Sequence, residues 1–281
     1  KNPLSLQLNV DDFLPASSEE KESLVQMRPS VSFWRESLHR LLKNPVAMVS
    51  MAVILVIIIF SFAVPGLYPY KYEQTIKGSE NLAPMQYSAQ EQARIDAGEH
   101  VFPHMLGTDG LGRDYAVRVM MGSRISLLVG LIASAIILVI GSIYGAVSGF
   151  FGGWADQIMM RLVDIIYTLP DILMIILISF AIKEPMTALS EKDGFHWIQT
   201  VGVNLISIFL VFALLYWVSM ARIVRSQVLT LKQNEFVTAA RALGAGSGRI
   251  IRRHLLTNCI GILIVTTTLQ IPSAIFTESF L

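Results

Sequence analysis

Cysteine and charged residues are both scarce in this sequence. The 281 residues include one cysteine, Cys259, so the chain cannot form an intrachain disulfide. Charged residues make up 15% of the chain, against roughly a quarter in soluble domains, while hydrophobic residues make up 53%. The formal net charge of +1 gives no overall basic character, so we expect no binding of nucleic acid. The composition indicates a membrane protein.

The sequence also lacks the motifs of common enzymes. It contains no Gly-x4-Gly-Lys-Ser/Thr phosphate-binding loop, and no Ser/His/Asp set is arguable within its apolar segments. His100 and His104 are spaced for metal binding on a helix, but Pro103 lies between them and disfavours that helix. We therefore expect no catalytic residue, bound cofactor or metal site in this chain.

Five apolar stretches predict an all-α polytopic membrane protein with five spans. About 20 apolar residues cross the hydrocarbon core of a bilayer. The first span is predicted at 45–64, the second at 125–155, the third at about 165–182 with a kink at Pro170, the fourth within 198–221, and the fifth from about 259 onward. Asp171 follows Pro170, where a helix-start position at the interface is favoured over a substrate or ion site.

The basic residues predict the orientation. Residues 222–253 carry seven basic residues and one acidic residue, Glu235, so the positive-inside rule makes this loop cytoplasmic. Alternation then places 65–124 and 183–199 outside and the N-terminus inside. Residues 1–31 are predicted to be a cytoplasmic tail. Residues 32–44 are predicted to be an interfacial amphipathic helix; a helix that packs on a soluble partner is the less favoured alternative.

Glycines recur every fourth residue in the second span, at Gly141, Gly145, Gly149 and Gly153. This spacing places small residues on one helix face, where a neighbouring helix can approach closely. The alternative is that glycine is simply common in membrane helices.

A short helix is predicted in the loop before the last span. Asn234 is an N-cap candidate, and Glu235 puts negative charge in the first turn, where the helix dipole favours it. Gly244 is expected to end the helix in a left-handed conformation. Residues at i, i+4 and i+7 share one face, here Phe236, Ala240 and Leu243. The pattern predicts a compact helix with a small-residue face at the membrane surface.

This loop resembles the EAA loop of ABC importer permeases. The family motif is Glu-Ala-Ala, three residues, Gly, nine residues, then Ile-x-Leu-Pro. Four positions match the motif, namely Ala239, Ala240, Gly244 and Leu256, and three depart from it, namely Thr238, His254 and Thr257. Residues 107–114, GTDGLGRD, with Arg124-Ile125-Ser126, and residues 271–281, IPSAIFTESFL, are similar to the C-type subunits of the dipeptide/oligopeptide/nickel branch. The resemblance covers about 45–281.

The resemblance implies a type I importer fold with six spans, so a sixth span is expected beyond Leu281. It also implies a bacterial or archaeal plasma membrane location and the import of short peptides. The implied partners are a second, B-type permease subunit, two ATPase subunits that bind ATP and Mg, an extracytoplasmic substrate-binding protein, and the lipid bilayer. The implied ATPase-coupling residues are Glu235, Phe236, Thr238, Ala239, Ala240, Arg241 and Gly244.

The external motif leaves two interpretations open. Its residues are Gly107, Thr108, Asp109, Gly112, Arg113 and Asp114. One interpretation is a structural turn in which Arg113 and Asp114 pair locally, because Asp109-Gly110 is a strong turn pair. The other is a scaffold that docks the substrate-binding protein or lines the mouth of the path.

Three functional alternatives remain from the sequence. The first is a permease for nickel or another small solute. The second is a secondary transporter, which would use inverted repeats and ionisable residues within the membrane. The third is a membrane scaffold or receptor without transport.

Overall fold

The structure is a computed structural model that describes residues 33–192, 195 and 197–280. The predicted tail at 1–31 lies outside these residues. Within the described ranges the protein is helical, and its β pairing is limited to an isolated bridge between Thr108 and Asp114. Among the described residues, five helices are long and apolar enough to cross a membrane. The predicted all-α polytopic fold class is confirmed.

The first of two compact units ends at Ile59. Helix α1, Phe33–Lys43, carries an exposed ion pair between Glu36 and Arg40. Helix α2, Pro45–Phe62, follows at once, because the Asn44 side chain accepts hydrogen bonds from the amides of Val46 and Ala47. An asparagine cap followed by proline is a favourable helix start.

The second unit begins at Phe60 and holds the long loop and the other four spans. The loop contains two short helices, α3 (Val64–Leu67) and α4 (Ala89–Asp96). Helix α5, Tyr115–Phe151, then runs for 37 residues. The helix therefore begins before residue 125, where the second span was predicted to start. Asp114 caps the helix by accepting a hydrogen bond from the Val117 amide, and the arginines at 118 and 124 continue the helix instead of ending it.

The third and fourth spans also differ from their predicted bounds. Helix α6, Gly153–Tyr167, is separate, and Pro170 precedes helix α7, Asp171–Ser190. The loop predicted from 183 is wrong there, because the helix continues through Lys183, Glu184 and Pro185. After α8, Trp197–Val201, the fourth span comprises α9 (Val203–Val211), a π-helical turn (Phe212–Tyr216) and α10 (Trp217–Leu231). The fourth span continues past 221 because its arginines form ion pairs with acidic side chains.

Close packing of α5 on α10 involves three of the four predicted glycines. A Cβ built on Gly141 would lie 2.6 Å from Met220 Cβ, and one on Gly149 would lie 2.9 Å from the Arg225 carbonyl oxygen. A Cβ on Gly145 would overlap the Ala221 carbonyl group. The prediction for Gly153 is wrong. Helix α5 ends at Phe151, Gly153 begins α6 with φ +54°, and no atom lies within 4 Å of a Cβ built there.

The remaining helices complete the unit. They are α11 (Glu235–Ala242), α12 (Ser247–Arg249), a π-helical segment (Ile250–Leu255), α13 (Leu256–Asn258) and α14 (Ile260–Glu278). Helix α14 packs on α5 at Gly130, where a Cβ would lie 2.8 Å from Ile275 Cγ1. About one helical turn away along the same contact, Ser126 Oγ donates to Glu278 Oε2 at 2.9 Å.

Candidate functional site

Helix α11 is anchored to the ends of the membrane-spanning helices. Val237 is fully buried and Ala240 is 7% exposed. Both belong to a core cluster that includes Phe150 at the end of α5, Val228 on α10 and Ile250 in the following π-helical segment. A displacement of α11 must therefore either move these helices or break this packing.

The end of α11 is a complete Schellman motif. The Gly244 amide donates to the Arg241 carbonyl at 2.9 Å, and the Ala245 amide donates to the Ala240 carbonyl at 3.0 Å. Gly244 has φ +80°, so its predicted left-handed conformation is confirmed. Asn234 occupies the N-cap position with extended backbone, but its side chain makes no capping hydrogen bond.

The exposed face of α11 differs from the predicted one. Phe236, Ala240 and Leu243 do not act together, because Ala240 is buried against the chain itself while Leu243 is 89% exposed. The outward face consists of Glu235, Thr238, Ala239 and Ala242, all exposed. Phe236 and Leu243 border this face on one side, and Arg241 lies on the other, with its guanidinium 5.2 Å from the Phe150 ring centre. We call these seven residues, the four exposed ones and the three that border them, the outward face of α11. Its side chains are mostly short and uncharged, and it is apolar along the border formed by Phe236 and Leu243.

Ionic contacts hold α6 against α10 at the same end of the spans. Arg225 donates from Nε and Nη2 to the two carboxylate oxygens of Asp156, each at 2.5 Å, and Ser148 Oγ donates to Oδ1. The hydrogen bonds from Arg225 lower the pKa of Asp156, and they outweigh the opposing effect of burial. Lys232 Nζ donates to the Gly149 carbonyl at 2.7 Å. These contacts stabilise the ends of α5 and α10, against which α11 packs.

The motif at 107–114 forms a hydrogen-bonded turn. The Asp109 side chain accepts from the amides of Leu111 and Arg113, both at 2.9 Å, and its other oxygen accepts from Arg113 Nε at 2.7 Å. The hydrogen bond from the Arg113 backbone amide is the largest of the effects that lower the pKa of Asp109. The predicted pairing of Arg113 with Asp114 is therefore wrong: Arg113 pairs with Asp109, and Asp114 caps α5.

The other residues of the motif tie it to the preceding loop. Gly107 and Gly112 have φ of +77° and +71°, and a Cβ on either would overlap a backbone carbonyl group, of Leu82 or Ile76. Thr108 Oγ1 accepts from the Leu82 amide at 2.9 Å and donates to the Ser79 carbonyl. These contacts favour the structural interpretation of the motif.

A buried triad lies beneath this turn. His104 is fully buried, with Nδ1 2.7 Å from Asp114 Oδ2 and Nε2 3.1 Å from Glu91 Oε1. The ring can donate to both carboxylates only as the imidazolium. Burial raises the pKa of Glu91, but hydrogen bonds from Ser88 and His104 outweigh it and the net pKa is lowered. Tyr70 stacks on His104 with ring centres 4.3 Å apart, and burial followed by the two carboxylates raises the pKa of Tyr70 to about 12.

Three adjoining cavities run along α7 and α14. One of about 280 Å³ begins at the α6–α7 link and includes Tyr216 and Ser273. These two residues also line a second cavity of about 230 Å³, which shares Ile176 and Phe280 with a third of about 640 Å³. Neither these cavities nor the triad could be anticipated from the sequence, because both bring together residues from distant segments.

Comparisons with known proteins identify the family. A sequence model of the binding-protein-dependent transport system inner membrane component matches residues 137–281, and one of the N-terminal TM domain of oligopeptide transport permease C matches 32–84. The chain is 35% identical to the oligopeptide transport system permease protein OppC of Bacillus subtilis, over 96% of this chain and 77% of that protein. It is 37% identical to the dipeptide transport system permease protein DppC of the same organism, over 96% and 73%. It is 34% identical to OppC of Escherichia coli K12, over 89% and 72%.

Proposed function

The chain belongs to the family of binding-protein-dependent transport system inner membrane components, and we propose that it couples peptide import to a cytoplasmic ATPase through α11. It is a permease subunit of a peptide ABC importer, a multi-pass membrane protein and not itself an enzyme. The nickel and secondary-transporter alternatives are not favoured, because the relatives are named as oligopeptide and dipeptide permeases.

The observation that carries the coupling proposal is the two-sided character of α11. One side, Val237 and Ala240, is buried with the ends of α5 and α10, while the outward face of α11 has no partner in the described part of this chain. A helix fixed on one side and open on the other transmits a push as a rigid element, whereas a mobile loop would absorb it. Leu243, at 89% exposure, is the side chain best placed to enter a groove on another protein.

The proposed assembly follows the resemblance. This chain would pair with a second permease subunit, two ATPase subunits that bind ATP and Mg, and an external binding protein. The basic residues at 222–253 support a cytoplasmic location for α11, with the N-terminus on the same side and the protein in the plasma membrane. ATP-driven closure of the ATPase pair would displace α11 and, through its buried side, the spans that line the three cavities.

The test is ATP-driven peptide uptake by the complete complex in proteoliposomes. The wild-type complex should take up peptide only with ATP. Leu243→Asp should assemble and reach the membrane, because the side chain contacts solvent in this chain, but uptake should fall by at least tenfold. Leu243→Met preserves the apolar contact and serves as the matched control. Undiminished uptake by Leu243→Asp would contradict the coupling proposal, and the absence of ATP-dependent uptake by the wild type would contradict the function.

A further inference from the structure

The largest of the three adjoining cavities is lined by charged residues, which the packing of apolar spans does not require. It is a groove of about 640 Å³ between α7, α9 and α14, within the roughly 300–1,000 Å³ of small-molecule sites. Its lining includes one basic and one acidic residue, Lys183 and Glu278. We call it the Lys183–Glu278 groove.

Neither charge is neutralised by the other. Glu278 Oε2 accepts a hydrogen bond from Ser126, and Lys183 forms no ion pair among the described residues. Lys183 lies within the apolar helix α7, well before its end at Ser190, and Glu278 is the last residue of α14. Charged side chains within membrane spans are costly, and they are found where they serve a substrate or ion path.

A third polar group in the groove, unlike Glu278, has no partner. Ser179 Oγ is buried and has no hydrogen-bond partner among the described residues. A buried hydroxyl without a partner is unfavourable, and a ligand that bonds to it would recover that loss. The Asn204 side chain, on α9, adds an amide that can both donate and accept.

Aromatic side chains supply the apolar part of the lining. Phe180 is 78% exposed and Phe280 is 61% exposed, and both line the groove. Together with the charges they form a surface with one cation, one anion, neutral hydrogen-bonding groups and flat apolar patches. A short unmodified peptide offers the complementary set: a carboxylate, an amine, backbone amides and side chains of varied character.

We propose that the Lys183–Glu278 groove binds short peptides during their passage, with Lys183 paired to the terminal carboxylate and Glu278 to the terminal amine. This inference rests on the proposed function and adds the contacts that select zwitterionic chains. Recognition through the two ends and the backbone does not depend on the side chains of the peptide. The groove could therefore accept peptides of many sequences.

The test measures equilibrium binding of trialanine, N-acetyl-trialanine and trialanine amide to the complete importer in nanodiscs, without the binding protein. Omitting that protein ensures that end selectivity arises in the permease. Lys183→Gln and Glu278→Gln should each weaken trialanine binding about tenfold, since a hydrogen bond to a charged group is worth at least that factor. Glutamine at 278 retains an acceptor for Ser126, so the α5–α14 contact is kept.

The modified peptides assign each residue to one end. Trialanine amide should bind the wild type about tenfold more weakly than trialanine, and Lys183→Gln should not weaken its binding further. N-acetyl-trialanine should likewise bind the wild type about tenfold more weakly, and Glu278→Gln should not weaken its binding further. Glu184→Gln and Lys192→Gln, which remove charges that do not line the groove, should leave binding unchanged. The inference would be overturned if the wild type and both groove variants bound trialanine equally, or if trialanine did not bind at all. It would also be overturned if the loss from modifying one peptide end and the loss from the matching substitution simply added. An effect that follows the zwitterionic lipid content of the nanodisc instead of the peptide ends would also overturn it. ATP-driven uptake by the wild type, measured in parallel, reports on the proposed function separately.

Discussion

Gly145 is where the packing of α5 on α10 can be tested most sharply. In Gly145→Ala the new methyl would overlap the Ala221 carbonyl oxygen and lie 3.0 Å from its carbonyl carbon and from its Cα. All three neighbours are backbone atoms, so no side chain can turn aside and the two helices must separate. Overpacking of this kind costs about 1–3 kcal/mol.

Gly122 provides the matched control in the same helix. No atom lies within 4 Å of a Cβ built there, so Gly122→Ala gains helix propensity, about 1 kcal/mol, without a clash. Because both substitutions share that gain, the difference between them reports packing alone. We expect Gly145→Ala to be less stable than Gly122→Ala by about 1–3 kcal/mol. Unfolding by SDS in mixed micelles, followed by circular dichroism, measures the difference. Equal stability of the two variants would refute the close approach of α5 and α10.

Three further outcomes follow from the structure. Asp156→Asn should destabilise the α6–α10 contact by about 1–3 kcal/mol in the same unfolding assay, because Arg225 loses its charged partner; an unchanged midpoint would show that the pair is not formed. The folded-state pKa of Glu91 is lowered, so its contribution to stability should be present at neutral pH and lost as the pH falls through this lowered pKa. The loss should be seen as faster hydrogen exchange in 104–117 that Glu91→Gln no longer shows; exchange with the same acid dependence in both proteins would contradict this. Gly244→Val should cost about 1–2 kcal/mol through backbone strain alone, since φ is +80° and no atom crowds the site, whereas Gly246→Ala, at φ −68°, should be neutral; peptide uptake and unfolding measured on both variants check this.

The sequence was most informative where local chemistry decides the structure. Span number and class followed from apolar length, and the end of α11 followed from Gly244, because a left-handed terminus has a strong residue preference. Span bounds were less predictable. Charged residues at 118, 183 and 222 read as loop, yet each lies in a helix that continues past it. The Arg222 guanidinium, for example, donates to Asp164 at 2.8 Å.

The candidate site was predicted by element but not by face. A period of 3.6 residues identifies a helix, but it does not say which side meets the rest of the chain. On α11 the buried side is centred on Val237 and Ala240, so Ala240 holds the helix in place and Leu243 is left for a partner. The triad around His104 and the Lys183–Glu278 groove depend on contacts between segments far apart in sequence, and no local pattern encodes them.

Cysteine cross-linking of α11 to the ATPase tests the central claim most directly. Ala239→Cys and Leu243→Cys, on the outward face, would be made in a Cys259→Ser background and examined in the complete complex with a short thiol-to-amine reagent. Both should cross-link to the ATPase subunit, with yields that change when ATP is added, while Glu99→Cys in the long loop should not cross-link to it. Failure of both α11 positions to reach the ATPase, or an equal yield from Glu99→Cys, would contradict the account.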